Sequence, residues 1–403
     1  MRGTPRESAA TVGPSPVLQV WTVLMKWTPP ALIVRHKNAK LSVRVSSSNV
    51  PTGEVHMNIT TVGVDLAKNV FELAVADTDW RIVERHRLSR AKFCEFFVQR
   101  PKCRVIMETC GSSHYWARRI SALGHDVQLL PAQYIRAYVR RNKTDAADAA
   151  GLIEASRCSD IKPVPIKTVN QQQIQALHRL RMQWQKTRHR YINILRGTLR
   201  EFGISIPLGV NVAKKQVGLA VADQNNEIPD GLRPTLVAML DEARDVENKI
   251  LNVERELATL TGTDERVRQL QTIPGIGLLT STALRAVVGD VHRFPSGRHF
   301  ASWLGLTARE HSSAGQRHLG GISKRGDVYL RMLLIHGARS ALQGAVRAQR
   351  AGRPLDRLRR WALECQNKRG HNKAAVALAN RMARIVWATW KYDRQFDGNW
   401  VKA

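Results

Sequence analysis

The apolar positions of the chain change their period twice. Between residues 60 and 131 they come in short runs: "TTVGVD", the alternating "VFELAVAD", "WRIVERHRL", the continuous "CRVIMET", and "HDVQLLP" closed by Pro131. Runs this short, alternating or wholly apolar, predict strands. Helical segments are expected between them, near 91–98 and 113–123. From residue 171 the period becomes helical. Leu177, Leu180, Trp184, Thr187, Tyr191 and Ile194 step by threes and fours, and so do Leu236, Met239, Ala243, Val246, Ile250, Val253, Leu257 and Leu260. Two long helices with a coiled-coil seam are predicted, joined by a turn from Gly203 to Pro229. They are either a helical hairpin packed on its own domain or a dimerisation arm.

Farther on, "IPGIG" predicts a tight turn between two helices through Pro274, Gly275 and Gly277, similar to a helix-hairpin-helix contact in which backbone N–H groups face a phosphate. A plain glycine turn is the other reading. A stretch dense in Gly, Ser, His and Arg follows. From about Arg347 two basic amphipathic helices close the chain, with Trp387 and Trp390 expected in the core. The early order, three strands in hairpin succession and then strand–helix–strand–helix, is that of an α/β ribonuclease-H-like (RuvC-like) domain. The expected organisation is a disordered or mis-called extension over 1–56, with Met57 a natural start, the RuvC-like domain over 57–165, a helical coiled-coil arm over 166–265, and a mainly α C-terminal domain over 266–403.

Charge narrows the partners. Lys and Arg number 63 against 33 Asp and Glu, a net +30 over 403 residues. Such a surplus speaks about association rather than fold; nucleic acid is the favoured partner and an anionic membrane surface the weaker alternative. The basic helix contributes Arg179, Arg181, Lys186, Arg188, Arg190, Arg196 and Arg200, with no acid between residues 171 and 200, which suits an RNA or DNA backbone. Cys94, Cys103, Cys110, Cys158 and Cys365 show no paired spacing, so neither a zinc site nor a disulfide framework is indicated and a reducing cytoplasm is expected. The apolar run "PVLQVWTVLMKWTPPALIV" is broken by Lys26, Pro29 and Pro30 and predicts no membrane span.

Four carboxylates carry the candidate chemistry. Asp65 ends the first strand and Glu108 a central one; Asp145 and Asp148 sit one helical turn apart in "RNKTDAADAAGL", after Arg140, Arg141 and Lys143. An acidic first turn on a helix dipole is the plain explanation of the aspartate pair. In a ribonuclease-H-like sheet, however, the two strands are neighbours and the helix packs over their ends. Converging carboxylates raise one another's pKa unless a cation sits among them. Hard oxygen ligands select Mg²⁺, which serves phosphodiester chemistry.

"GVDLAKNVFELAV", "METCGSSHYWAR", "RNKTDAADAAGLIEA", "IPGIGLLTS", "ASWLGLTAREHSS" and "GGISKRGDVYLRMLLIHGA", in this order, resemble the DEDD-type insertion-sequence transposases from about Met57 to the C-terminus. The resemblance implies a Mg²⁺-binding set at Asp65, Glu108, Asp145 and Asp148. It also implies a nucleophilic serine after the "GLTAR" block that forms a transient phosphoserine link to DNA, guidance by an element-encoded bridge RNA, and dimers assembling into a tetramer in which one subunit's carboxylates serve another's serine. Alanine stands at position 308 where the family has proline. The family serine precedes a glycine, so "SSAG" makes Ser313 the better fit and Ser312 its rival. Without the resemblance, loop hydrogen bonding would explain both serines. Arg317, Lys324 and Arg325 are expected on phosphates, or as a solvated basic loop. The implied setting is the bacterial cytoplasm, with the active protein on the nucleoid.

Three other functions compete. A RuvC-like structure-specific nuclease would need no serine. A sugar-kinase-like or actin-like ATPase would use "GVDLAK" as a phosphate loop, but further glycine-rich loops are missing. A non-catalytic nucleic-acid scaffold would tolerate loss of all four carboxylates.

Overall fold

Five strands form one mixed sheet in the order β3-β2-β1-β4-β5. They are β1 (Thr61–Leu66), β2 (Val70–Ala76), β3 (Ile82–Ser89), β4 (Arg104–Glu108) and β5 (Asp126–Leu130). β1 pairs antiparallel with β2 and β2 with β3, whereas β4 and β5 run parallel to β1. The computed structural model describes residues 60–138 and 145–399, with Asp145 described by its backbone alone. The expected extension over 1–56, the start at Met57, and Arg140, Arg141 and Lys143 lie outside the described residues.

One face of the sheet carries Val62, Val64, Val105 and Met107, packed with Phe93 and Phe97 of α1 (Lys92–Val98) and Trp116 and Ile120 of α2 (Ser113–Ala122). After the short α3 (Ala132–Ile135) comes α4 (Asp145–Ser156), which covers the other face. Ile106 and Leu152 share one cluster there; Ala74, Ala76, Ala149 and Ile153 share another. A Cβ on Gly63 would stand 2.3 Å from the carbonyl oxygen of Ala149. The alanine-rich sequence of α4 thus has a packing reason: helix and sheet meet backbone to backbone.

The arm consists of α5 (Val169–Glu201), α6 (Val210–Ala222) and α7 (Arg233–Thr261). Thr168 and Gln171 form a capping box at its start: each backbone N–H reaches the other's side chain, at 3.0 and 3.1 Å. Arg181 pairs with Glu254 and Arg188 with Glu247. Numbers rise on one helix as they fall on the other, so α5 and α7 are antiparallel.

Two expectations need correction. The segment from Gly203 to Pro229 is not a simple turn, because Ala213, Val217 and Val221 give it a helix with a buried edge. The buried stripe of α5 matches the predicted one only in part: Leu177 is buried, and Trp184 and Tyr191 pack against buried residues. It runs through Ile174, Leu177, His178, Arg181, Ile192, Leu195 and Leu199, whereas Leu180 and Ile194 remain 49% and 43% exposed. The helix offers two stripes. The opposing elements selected the one whose polar members they satisfy: Glu254 pairs with Arg181, and Tyr329 and Thr282 meet His178.

The C-terminal core gathers α8 (Glu265–Gln271), α9 (Leu278–Val288), α10 (Gly297–Trp303), α11 (Val328–Arg350), α12 (Arg357–Arg369) and α13 (His371–Lys391). Trp387 and Trp390 are buried in it, and the Trp387 Nε1–H donates to the Phe294 carbonyl at 3.0 Å. Between α8 and α9 the "IPGIG" turn holds Gly275 at φ +85°, and a Cβ there would lie 2.3 Å from the Gly337 carbonyl oxygen. The glycine is required by a close crossing with α11. His178 ties the arm to this core, with ring nitrogens 2.9 Å from the Tyr329 hydroxyl and 3.0 Å from Thr282 Oγ1. Among the described residues, no helix is long and apolar enough to cross a membrane.

Candidate active site: a carboxylate edge and a serine hairpin

Strand register places Asp65 and Glu108. Val64 lies opposite Met107 in the parallel β1–β4 pair, and both side chains enter the core with α1 and α2. The next position on each strand, Asp65 and Glu108, faces the other way by strand alternation. That face is the one α4 covers, since Gly63 and Ile106 meet Ala149 and Leu152 there. Asp148 precedes Ala149 on α4, and Asp65, Glu108 and Asp148 are all half-buried. The fold therefore directs all three to one side of the sheet, at the C-terminal ends of neighbouring strands. Asp145 begins α4 one turn earlier; its side chain lies outside the described residues.

Sequence reading missed a fourth acid on this face. Glu72 of β2 is the antiparallel partner of Asp65 and is ion-paired with Arg87 at 3.3 Å. The alternation of "VFELAV" carried the signal, since Glu72 interrupts an otherwise apolar strand. The donor chemistry, all carboxylate oxygen, fits a hard divalent cation. Among the described residues, however, no three His, Cys, Asp or Glu side chains form a group able to hold a metal ion.

The serines occupy an unpredicted element. β6 (Ala308–Glu310) and β7 (Leu319–Ile322) pair antiparallel and project as an exposed hairpin from the helical core. Strands this short, one of them bearing two glycines, leave almost no periodic signal. Ser313 and Gln316 exchange backbone hydrogen bonds of 3.3 and 2.9 Å across a two-residue turn. Ala314 and Gly315 take φ +48° and +77°. That is the geometry of a type I′ hairpin turn, normally occupied by Asn and Gly. The Ser312 hydroxyl donates to Glu310 Oε1 at 2.8 Å and accepts the His318 N–H at 3.2 Å. Ser313 is exposed at the turn itself.

The hairpin's feet are firmly held. A Cβ on Gly305 would meet the Arg325 carbonyl oxygen at 1.9 Å, and one on Gly326 the Trp303 carbonyl oxygen at the same distance. Both glycines have positive φ. The Arg331 guanidinium, 7% exposed, donates to the carbonyls of Leu304 and Arg325 at 3.2 and 3.1 Å, one on each foot. Of the cations expected on phosphates, Lys324 and Arg325 are exposed at the foot, while Arg317 pairs with Glu310 at 3.4 Å. On the basic helix Arg181 and Arg188 are ion-paired, and Arg196 donates to the carbonyls of Pro207 and Gly209. Arg179, Lys186, Arg190 and Arg200 remain exposed.

Both elements lie within segments that match known protein families. Residues 62–204, which hold the carboxylate edge, match the transposase family designated DEDD_Tnp_IS110. Residues 267–351, which hold the hairpin, match the "Transposase IS116/IS110/IS902 family". The chain is 40% identical over 333 residues to a probable family 20 transposase of Pseudomonas aeruginosa, covering 82% of this chain and 97% of that protein. It is 35% identical to the transposase for insertion sequence element IS1111A of Coxiella burnetii, over 82% of this chain and 89% of that one. A more distant relative, 25% identical over 65% of this chain and 76% of its own length, is the pilin gene-inverting protein of Moraxella bovis. The chain belongs to the IS110/IS116 family of insertion-sequence transposases.

Proposed function

We propose that this transposase cuts and rejoins DNA by transesterification at a serine, assisted by a cation-binding carboxylate set in a ribonuclease-H-like domain. The observation that carries the reading is the placement of Asp65 and Glu108 side by side at strand ends, on the sheet face covered by the helix of Asp148. Asp65, Glu108, Asp145 and Asp148 would hold Mg²⁺ through oxygen ligands; when bound, the ion neutralises charge developing on the phosphate. Ser313 is the candidate nucleophile. Its Oγ–phosphorus bond forms as a phosphorus–oxygen bond to deoxyribose breaks, so the phosphodiester energy is kept in the protein link and rejoining reverses the exchange. Ser312 is the rival, with the Glu310 carboxylate already accepting its proton in a hydrogen bond. Guidance by an element-encoded RNA and the assembly of dimers into a tetramer are parts of the same proposal and rest on the family resemblance. The gene-inverting name of the Moraxella relative favours strand exchange over the hydrolysis of a junction nuclease.

The test is a recombination assay in cells with element ends and a target plasmid. Asp148→Ala and Ser313→Ala should each abolish junction formation, and wild type should yield a covalent protein–DNA adduct. An active Ser313→Ala with an inactive Ser312→Ala moves the nucleophile by one residue. Full activity with both serines replaced would leave hydrolysis and sink the serine mechanism.

A further inference from the structure

Beside the serine hairpin lies an open groove of about 1920 Å³. One wall is the hairpin itself, through Arg309, Gly320, Gly321 and Lys324. The other is α13, whose Lys373, Ala377, Arg381 and Arg384 recur at helical spacing and so share one face. Arg298 extends the cationic lining, and Asp397 is the one acid among the described lining residues. Among the described residues, Arg298, Arg309, Lys324, Lys373, Arg381 and Arg384 make no ion pair with a carboxylate. Arg381 lies over the Trp361 ring at 4.5 Å. Partial burial first, and then the neighbouring guanidiniums of Arg384 and Arg357, hold the Arg381 guanidinium below its ordinary value. Cations crowded together without acids are the arrangement an incoming polyanion relieves.

We propose that this groove seats the backbone of a DNA strand and leads it to the serine hairpin. Three features select that occupant. The cationic edge of α13 from Lys373 to Arg384 spans roughly 16 Å at 1.5 Å per residue. That is about five nucleotides at 3.4 Å per strand step. The groove is continuous with both hairpin strands, and the side chain of Asn380 on α13 donates to the Leu306 carbonyl at 3.0 Å, fixing one wall to the other. Exposed glycines at 320 and 321 leave room for close backbone approach, and Tyr392, 56% exposed beneath Arg394, offers a ring to bases. The proposal rests on the recombinase reading, because the strand is placed where its phosphate could reach Ser312 or Ser313.

The test measures binding without chemistry. Full-length protein in EDTA is titrated into fluorescein-labelled DNA, and into RNA of the same length, across a range of salt. Lys373→Gln/Arg381→Gln/Arg384→Gln is compared with Lys215→Gln/Lys249→Gln/Arg255→Gln, an equal charge change on exposed arm residues. The groove triple should weaken DNA binding at least tenfold and flatten the log–log salt slope by about two to three. The arm triple should change DNA affinity far less. If the groove triple does not melt cooperatively, exposed Arg384→Gln alone carries the test, with a slope change of about one. Equal losses in the two triples would reduce the effect to net charge and overturn the proposal. So would a loss confined to RNA. Wild-type DNA binding by the groove triple, with recombination still abolished by Ser313→Ala, rejects the groove and spares the recombinase. Lost DNA binding in the groove triple, with recombination indifferent to Asp148 and both serines, does the reverse.

Discussion

The arm and the groove are both rich in arginine, and they differ in what faces it. In the arm, Glu254 takes Arg181, and Glu247 takes both Arg188 and Lys214. At the arm's tip Arg233, 8% exposed, donates to the carbonyls of Val221, Asp223 and Ile228. These cations hold helices and loops together. Among the described residues the six groove cations make no ion pair with a carboxylate, and Arg381 has the guanidiniums of Arg384 and Arg357 beside it. The arm therefore spends part of its positive charge internally, while the groove keeps its charge for a partner. Net charge alone conceals this, because +30 is the sum of both kinds. A basic helix becomes structural when its antiparallel partner is acidic. A basic face stays a binding face when the wall opposite it is glycine, lysine and more arginine.

The largest expected break in the comparison is Glu254→Ala. It strands Arg181, whose side chain is 10% exposed, and should cost about 3 kcal/mol in urea unfolding. Arg384→Gln in the groove should stay within about 0.5 kcal/mol of wild type. Similar costs at the two sites would erase the distinction between structural and partner-directed cations.

Acid sharpens it next. Burial, with Arg181 adding to it, pushes the His178 imidazole down to about 4. Between pH 6.5 and about 4 the unfolded chain takes up a proton that the folded chain refuses. Stability is therefore complete above 6.5 and falls as the pH drops through this window, by roughly 2 to 3 kcal/mol for His178. His114, also held near 4 by burial and by Lys167, Arg118 and Arg179, adds to the slope. In His178→Gln, chemical denaturation across this window should show a shallower dependence; an unchanged dependence would remove His178 as its source.

Arg331→Met should cost about 2 kcal/mol by leaving the buried Leu304 carbonyl without this donor. It should also raise the protease sensitivity of residues 305–326 while the arm stays protected. Uniform loss of protection would show that Arg331 supports the whole core rather than the hairpin. The smallest effect is a gain. Ala314→Gly removes a left-handed alanine from the turn and should stabilise the protein by up to about 1 kcal/mol. A lower melting temperature would mean that the Ala314 methyl group makes a stabilising contact.

The sheet was legible strand by strand. "VFELAVAD" carries its faces in its alternation, "TTVGVD" and "CRVIMET" are marked by apolar runs, and Asp65 and Glu108 stand out as polar ends of those runs. The long helices were legible, because a 3–4 period sustained from Leu177 to Ile194 and from Leu236 to Leu260 has no strand alternative. Three features were hidden. The local pattern makes the helix Val210–Ala222 part of a turn, the hairpin of Ser312 and Ser313 a loop, and Leu180 and Ile194 part of the seam. In each case short or doubled periodicity left more than one local solution, and contacts with distant residues chose among them.

By itself the sequence determined which residues could be core, where strands and long helices run, and that the summed charge favours a polyanionic partner. Those properties follow from local period and summed charge, which the chain carries in any conformation. Only the tertiary structure decided that Glu72 joins the carboxylate face, that Ser312 rests on Glu310, and which arginines are already neutralised. Those facts depend on register and on the opposing element, and a charge acquires its role from whatever the fold places within a few ångströms of it.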